Sequence, residues 1–218
     1  MWGGAVEFSA VAGLGGLGFV LAAVAINVVY VRGRLPMPTS GQTLEEVTQA
    51  FATVGDALKR PSVIAPATWV FLTLFAAGVL SETWSDQPGW ALVGFAGVLL
   101  QNATFTGVEA LRFGLASAAS HDRGSVPGLW AFSNVLFGFN QVFLAIALLG
   151  FSIAGTTSEL VPAWHAILGY VSAALLFVSS SATPYNAQGS GRTGAIGLIG
   201  WLGWATWIVV YSITLLRA

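Results

Sequence analysis

The sequence predicts an all-α polytopic membrane protein with six transmembrane helices and one cytoplasmic amphipathic helix. Composition is the first observation: 56% of the 218 residues are apolar, the mean hydropathy is +0.78, and only 8 Lys or Arg and 9 Asp or Glu are present. The second is a series of continuous apolar runs of about 20 residues, the length that carries a helix across the hydrocarbon core. A membrane β-barrel would instead show alternating strands of about ten residues.

So few charges exclude a soluble globular enzyme, a disordered chain and a nucleic-acid binder, because little basic charge is present to neutralise phosphates. The chain contains no cysteine, which excludes disulfides and thiolate metal sites. Lys59 is the only lysine and lies outside the apolar runs, so a Schiff base within the membrane is not available. We therefore expect no catalytic residues, no metal site and no cofactor.

The apolar runs divide a single transmembrane domain, residues 1–218, into spans. The first run stops at Arg32, the second and shortest stops at Glu82, and the third begins near Trp90. The third run stays apolar as far as Ala119, which is longer than one bilayer requires. The expected spans lie near residues 8–31, 65–82, 90–111, 128–154, 160–181 and 194–216.

The loops between the runs alternate in charge. The first, third and fifth connections carry the basic residues Arg32, Arg34, Lys59, Arg60, Arg123 and Arg192, whereas the second and fourth carry Glu82, Asp86 and Glu159. Positive loops face the cytoplasm. We therefore expect a bacterial cytoplasmic membrane protein with its basic loops inside and both termini outside, Arg217 being the one exception to the charge rule.

The long first connection predicts an amphipathic helix near residues 44–60. Thr43 and Glu46 have the spacing of a capping box, in which each side chain accepts a hydrogen bond from the free backbone N–H of the other residue. Apolar residues then recur at helical spacing from Leu44 to Leu58, and Pro61 is expected to end the helix. The helix either lies flat under the bundle or in the headgroup plane, or serves as a docking or gating element.

Polar groups inside the apolar runs are the candidate functional residues, because their burial in lipid is costly. Gln101 and Asn102 of the third run and Asn140 and Gln141 of the fourth are expected near mid-membrane, where they either fix helix packing or line a polar cavity. Glu109 and Arg112 are expected to pair near the inner interface. The candidate ligand-binding residues are Gln101, Asn102, Thr106, Glu109, Asn134, Asn140, Gln141 and His165.

His165 and His121 are the only histidines, and the predicted topology places them at opposite ends of the bundle. A haem held by both within one chain is therefore excluded. His165 follows Pro162 and Trp164 at the start of the fifth span, which is typical of a residue at the membrane interface.

The sixth run combines two patterns of spacing three. Trp201, Trp204 and Trp207 form either a stripe against lipid or a neighbouring helix, or an aromatic wall for a ligand. Glycines recur at positions 194, 197, 200 and 203, and small residues let helix backbones approach closely in lipid. We expect this glycine stripe to form a packing seam within the monomer rather than an oligomer interface.

Four segments of the C-terminal half carry a family resemblance. They are GVEALRFGLASAA with Glu109, NVLFGFNQVFLAIALLGF, LVPAWHAILGYVSAALLF and WLGWATWIVVYSITLLR. Over about half of the chain they resemble an uncharacterised bacterial family of six-helix integral membrane proteins, a domain of unknown function. The resemblance implies the same six-helix architecture and no particular reaction, and the long first connection departs from the family pattern.

These observations favour a non-enzymatic protein, either an accessory subunit of a membrane complex or a binder of a lipid-like ligand within the bundle. The expected partners are the lipid bilayer, a hydrophobic small molecule, and a membrane protein or a second copy of the chain, with no nucleic acid. The alternative is a small-solute transporter or channel. A third hypothesis is a membrane enzyme that uses Glu109 as a base.

Overall fold

The structure is a computed structural model that describes residues 7–38, 41–187 and 194–217; the side chains of residues 55 and 56 are not described. Within these ranges the chain forms α-helices and short 3-10 turns and no strand. Six helices are long and apolar enough to cross a membrane, which confirms the predicted all-α class. The helices are α1 (Phe8–Arg32), α2 (Leu44–Val54), α3 (Lys59–Thr83), α4 (Pro88–His121), α5 (Val126–Thr157), α6 (Ala163–Ser181) and α7 (Gly194–Leu215).

Several boundaries differ from the sequence prediction. The amphipathic helix α2 ends at Val54 rather than near residue 60, and a 3-10 turn at Gly55–Leu58 follows it. Pro61 does not end that helix but lies in the first turn of α3, which begins at Lys59 rather than near residue 65, and there its missing N–H costs no helical hydrogen bond. Helix α4 ends at His121 rather than near residue 111, whereas α5 exceeds its predicted span by only two residues at the start and three at the end.

The six long helices form a closed ring in the order α1, α3, α4, α5, α6, α7, and α7 packs back against α1. Glycines make these contacts close. A Cβ at Gly15 would lie 2.9 Å from the Phe71 backbone oxygen, and one at Gly97 would lie 2.6 Å from the Ala147 nitrogen. A Cβ at Gly200 would likewise lie 2.8 Å from Leu176 Cγ of α6, so this glycine of the α7 stripe packs within the monomer.

The two ends of this ring differ in their basic residues. Glu7, Glu82, Asp86 and Glu159 lie at one end, which we call the acidic end and which also holds Arg217. The opposite, basic end holds Arg32, Arg34, Lys59, Arg60 and Arg123, together with the acidic residues Glu45, Glu46 and Asp122. Arg192, the base of the fifth connection, lies outside the described residues. The assignment of the basic end to the cytoplasm stays a prediction.

The amphipathic helix α2 lies at the basic end against the extensions of α4 and α5. Thr43 and Glu46 form the predicted capping box: the Thr43 N–H donates to Glu46 Oε2 at 2.7 Å, and the Glu46 N–H donates to Thr43 Oγ1 at 3.3 Å. On its apolar face Val47 and Phe51 are buried, and the Phe51 ring meets Trp130 edge-on at 6.3 Å. The helix therefore packs on the bundle itself.

The main hydrophobic core occupies the half of the ring nearer the acidic end, which we call the acidic half. Phe75 lies at its centre, with ring centroids 6.1 Å from Trp207 and 5.9 Å from Tyr211. All three side chains are at most 1% exposed. Small residues such as Gly94 and Gly155 face aromatic rings here, so neighbouring helices approach closely.

Candidate functional site

The half of the ring nearer the basic end, the basic half, encloses a cavity of about 460 Å³. All six spanning helices contribute to its wall. Its apolar lining is formed by Phe19, Ala23, Ile26, Met37, Pro38, Phe105, Phe137, Leu144, Leu176, Leu198, Trp201 and Trp204. Its polar lining includes Asn27, Tyr30, Thr68, Trp69, Gln101, Asn102, Arg112, Asn140 and Gln141.

The four amides predicted from the sequence all line this cavity. Gln101 and Asn102 of α4 and Asn140 and Gln141 of α5 are each at most 9% exposed. The side-chain carbonyl oxygen of each amide has no hydrogen-bond partner among the residues that the structure describes. Buried acceptors without donors cost about 1–3 kcal/mol each. The arrangement therefore lacks the mutual hydrogen bonding expected of amides whose only role is to fix packing.

Asn102 has an orientation that its neighbours determine. Its Nδ2 donates to the Trp69 backbone oxygen at 3.3 Å and to Thr73 Oγ1 at 3.0 Å. The Thr73 hydroxyl itself donates to the Trp69 oxygen at 2.7 Å, so toward Asn102 it can only accept. If the amide nitrogen and oxygen were exchanged, Oδ1 would face two other acceptors, the Trp69 backbone oxygen and Thr73 Oγ1. The free Asn102 Oδ1 is therefore the acceptor that this residue presents to the cavity.

The aromatic residues of α7 divide between the two halves of the ring. Trp201 and Trp204 line the cavity, and Trp204 meets Phe19 edge-on at 5.0 Å. Trp207 is instead part of the core of the acidic half. Positions six residues apart differ by about 240° around a helix. The predicted aromatic wall therefore consists of Trp201 and Trp204, and the third tryptophan has a packing role.

A buried ion pair lies at the basic end of the cavity. Arg112 Nη1 pairs with Glu109 Oε2, as predicted, and Ser62 Oγ donates to the other carboxylate oxygen. The guanidinium lies 4.3 Å from the Tyr30 ring centroid, a cation–π contact. Arg112 lines the cavity, and its Nε has no partner in the described part of the chain. This cluster links α1, α3 and α4 and is electrically neutral overall.

The other predicted site residues do not line the cavity. Thr106 is exposed, and its hydroxyl donates to the Asn102 backbone oxygen of its own helix. Position 106 lies about 40° further round α4 than position 102, enough to turn it outward. Asn134 is buried but does not line the cavity. Glu109 does not line it either, and is connected to it only by its ion pair with Arg112, which does.

His165 lies in the acidic half and is buried in the core. It is 0% exposed, stacks on Trp207 at 5.1 Å, and hydrogen-bonds through Nε2 to the Trp207 backbone oxygen at 2.9 Å. The two residues before it, Ala163 and Trp164, are exposed, so His165 lies on the inward face of the first turn of α6. Its expected place at the membrane interface stays a prediction.

Sequence reasoning missed three residues of the site. Trp69 and Thr73 of α3 orient Asn102, and Tyr30 stacks on Arg112. Trp69 and Thr73 are four residues apart, so they share one helix face, a weak signal in an apolar run. Within the described ranges, no group of three His, Asp or Glu side chains could hold a metal ion.

Comparisons with protein-family models, with curated proteins and with solved structures give no match. The resemblance of the C-terminal half to an uncharacterised membrane family therefore stays a prediction. The function is therefore inferred from the cavity and the residues that line it.

Proposed function

We propose that this protein is a non-enzymatic integral membrane protein that binds a lipid-like or hydrophobic ligand inside its helix bundle. The observation that carries the proposal is the cavity of about 460 Å³, with aromatic and aliphatic walls and four buried amides whose oxygens lack partners within the described residues. Small-molecule sites are typically concave, of about 300–1,000 Å³, mostly apolar, and supplied with a few oriented polar groups.

The contacts of the Glu109 carboxylate argue against the hypothesis of an enzyme that uses Glu109 as a base. Its carboxylate is engaged by Arg112 on one oxygen and by Ser62 on the other. A general base needs a lone pair within hydrogen-bond reach of the substrate proton. Glu109 is not among the residues that line the cavity, so a ligand bound there would meet Arg112 first.

The test uses a matched pair of substitutions on adjacent residues of α1. Ala23 lines the cavity, whereas Val24 is 46% exposed on the outside of the bundle. We expect native mass spectrometry of the protein purified from its membranes to show a bound hydrophobic molecule in the wild type and in Val24→Phe, and a loss of it in Ala23→Phe. Equal retention in both variants, or no adduct in the wild type, would contradict the proposal.

A small-solute transporter is the second candidate, favoured by the confinement of the cavity to one half of the ring. Alternating access would require the core of the acidic half to open. Because the chain has no cysteine, single cysteines can report this directly. A transporter predicts that Ser152→Cys, buried beside Trp207, reacts with a membrane-impermeant thiol reagent in at least one state. A ligand binder predicts protection throughout.

An accessory-subunit role is compatible with ligand binding and is tested separately. Purification from native membranes in a mild detergent would retain a stable partner protein. A partner that follows the wild type but not Ala23→Phe would link assembly to occupancy of the cavity.

A further inference from the structure

We infer that the cavity recognises an uncharged hydroxyl head group, held between Asn102 and Trp69, on a molecule whose remainder is apolar. The inference rests on the proposed function and specifies its ligand. It starts from two buried polar atoms, Asn102 Oδ1 and Trp69 Nε1, whose residues both line the cavity and contact each other where Asn102 Nδ2 lies 3.3 Å from the backbone oxygen of Trp69.

The first atom is an acceptor that cannot become a donor. Asn102 is 9% exposed, and its amide is held by Thr73 and by the Trp69 backbone, so Oδ1 remains to face a ligand. Rotation of the amide would break both hydrogen bonds. An ester, a ketone or any other group that only accepts therefore cannot satisfy this atom.

The second atom is a donor. Trp69 Nε1 is buried, belongs to a residue that lines the cavity, and has no partner among the described residues. An indole N–H can only donate. A group that only donates, such as an ammonium, would leave it unsatisfied. A hydroxyl donates one hydrogen bond and accepts another, so a single hydroxyl can satisfy both atoms.

The charge of the lining favours a neutral head group. Arg112 is the only charged side chain among the described lining residues, and Glu109 compensates it. An anion near Asn102 would face the free oxygens of Gln101, Asn140 and Gln141 as well. Burying a charge without a compensating partner is far more costly than burying a hydroxyl.

The experiment compares three probes that share one chain: glycerol monooleate, methyl oleate and sodium oleate, each with a brominated acyl chain. Bromine quenches tryptophan fluorescence on contact, and Trp69, Trp201 and Trp204 line the cavity. We expect the glycerol ester to bind about tenfold more tightly than the methyl ester, since its hydroxyl satisfies a buried donor and a buried acceptor. Oleate should bind no better than the methyl ester.

The matched variants are Trp69→Phe and Trp84→Phe. The first keeps an aromatic ring but removes the N–H, and should bring binding of the glycerol ester close to that of the methyl ester. The second alters a tryptophan that is 50% exposed beyond the end of α3 and should leave the preference unchanged.

The outcomes separate this inference from the function on which it rests. Equal binding of the two esters would overturn the hydroxyl head group and leave ligand binding intact. Preference for oleate would also overturn it, in favour of an anion at Arg112. If none of the probes quenches fluorescence more in the wild type than in Ala23→Phe, binding of a lipid-like ligand itself fails.

Discussion

The two halves of the helix ring use the same six helices in different ways. In the acidic half, Phe75, Trp207 and Tyr211 fill the centre and helices meet at glycines such as Gly94. In the basic half the centre is a cavity, and buried amide oxygens remain without partners among the described residues. The packed half is stabilised by complementary side-chain shapes, whereas the other half has polar contacts at its edge and a cavity at its centre.

The difference originates in which residues face inward on α4. Toward the acidic end Ala91, Gly94 and Gly97 let α5 approach closely. Toward the basic end the inward positions are occupied by longer side chains, among them Gln101 and Arg112. Helix backbones without small residues stay further apart in a membrane. A change from small to long residues along one helix therefore converts a packed core into a cavity.

The largest expected difference in stability between the two halves comes from substitutions that enlarge a side chain in each of them. A Cβ at Gly97 would lie 2.6 Å from the Ala147 nitrogen and 2.8 Å from the Phe143 oxygen, both backbone atoms that cannot move alone. Gly97→Leu should therefore destabilise the protein by about 3 kcal/mol or more. Ala23→Leu, which projects into the cavity, should change stability by less than about 1 kcal/mol. Thermal unfolding in detergent measures both, and equal losses would remove the distinction between the halves.

The second effect concerns the ion pair that holds the edge of the cavity. Arg112→Met leaves a buried Glu109 carboxylate with only the Ser62 hydroxyl, which should cost about 3 kcal/mol. Adding Glu109→Gln should restore most of the loss, because no uncompensated charge then remains. Glu82→Gln, an exposed carboxylate at the acidic end, is the control. A double variant as unstable as the single one would show that the pair does not act through charge.

The smallest effect is expected outside the ring, at the capping box of α2. Hydrogen bonds from the Thr43 N–H and hydroxyl lower the pKa of Glu46 from its ordinary value of 4.5. A lowered pKa stabilises the folded helix above pH 4.5, and this contribution is lost as pH falls through the folded-state pKa. Thr43→Ala should therefore speed amide exchange in α2 at neutral pH.

In acid, below the pKa of Glu46 in the folded protein, that difference in exchange should shrink to the part that comes from Thr43 Oγ1, which still accepts a hydrogen bond from the Glu46 N–H. Thr53→Ala serves as the control, because the Thr53 hydroxyl bonds only to backbone oxygens of its own helix. A pH-independent effect of Thr43→Ala would indicate that the hydroxyl alone, rather than the carboxylate, caps the helix.

The helices and the ion pair were predictable because they depend on local pattern. Apolar runs set the spans, and Glu109 and Arg112 are neighbours on any helix. The four cavity amides were also found, since each is a polar residue in an apolar run. The orientation of Asn102 was not predictable, because it depends on Trp69 and Thr73 of a different helix.

The positions of Thr106 and His165 show where sequence pattern is insufficient. Spacing places Thr106 near Asn102 on α4 but does not fix the rotation of that helix within the ring, and Thr106 faces outward. His165 begins a span, yet it is fully buried against Trp207 of another helix. Both outcomes depend on contacts between helices, which the periodicity of a single helix does not predict.

The contact between α1 and α7 has a consequence for biosynthesis. A Cβ at Gly13 would lie 2.8 Å from the Ser212 backbone oxygen, so the first helix packs directly on the last. Helix α1 therefore cannot make this contact until α7 has been synthesised. The cavity wall is completed only by that span, so a ligand can be enclosed only after translation has reached α7.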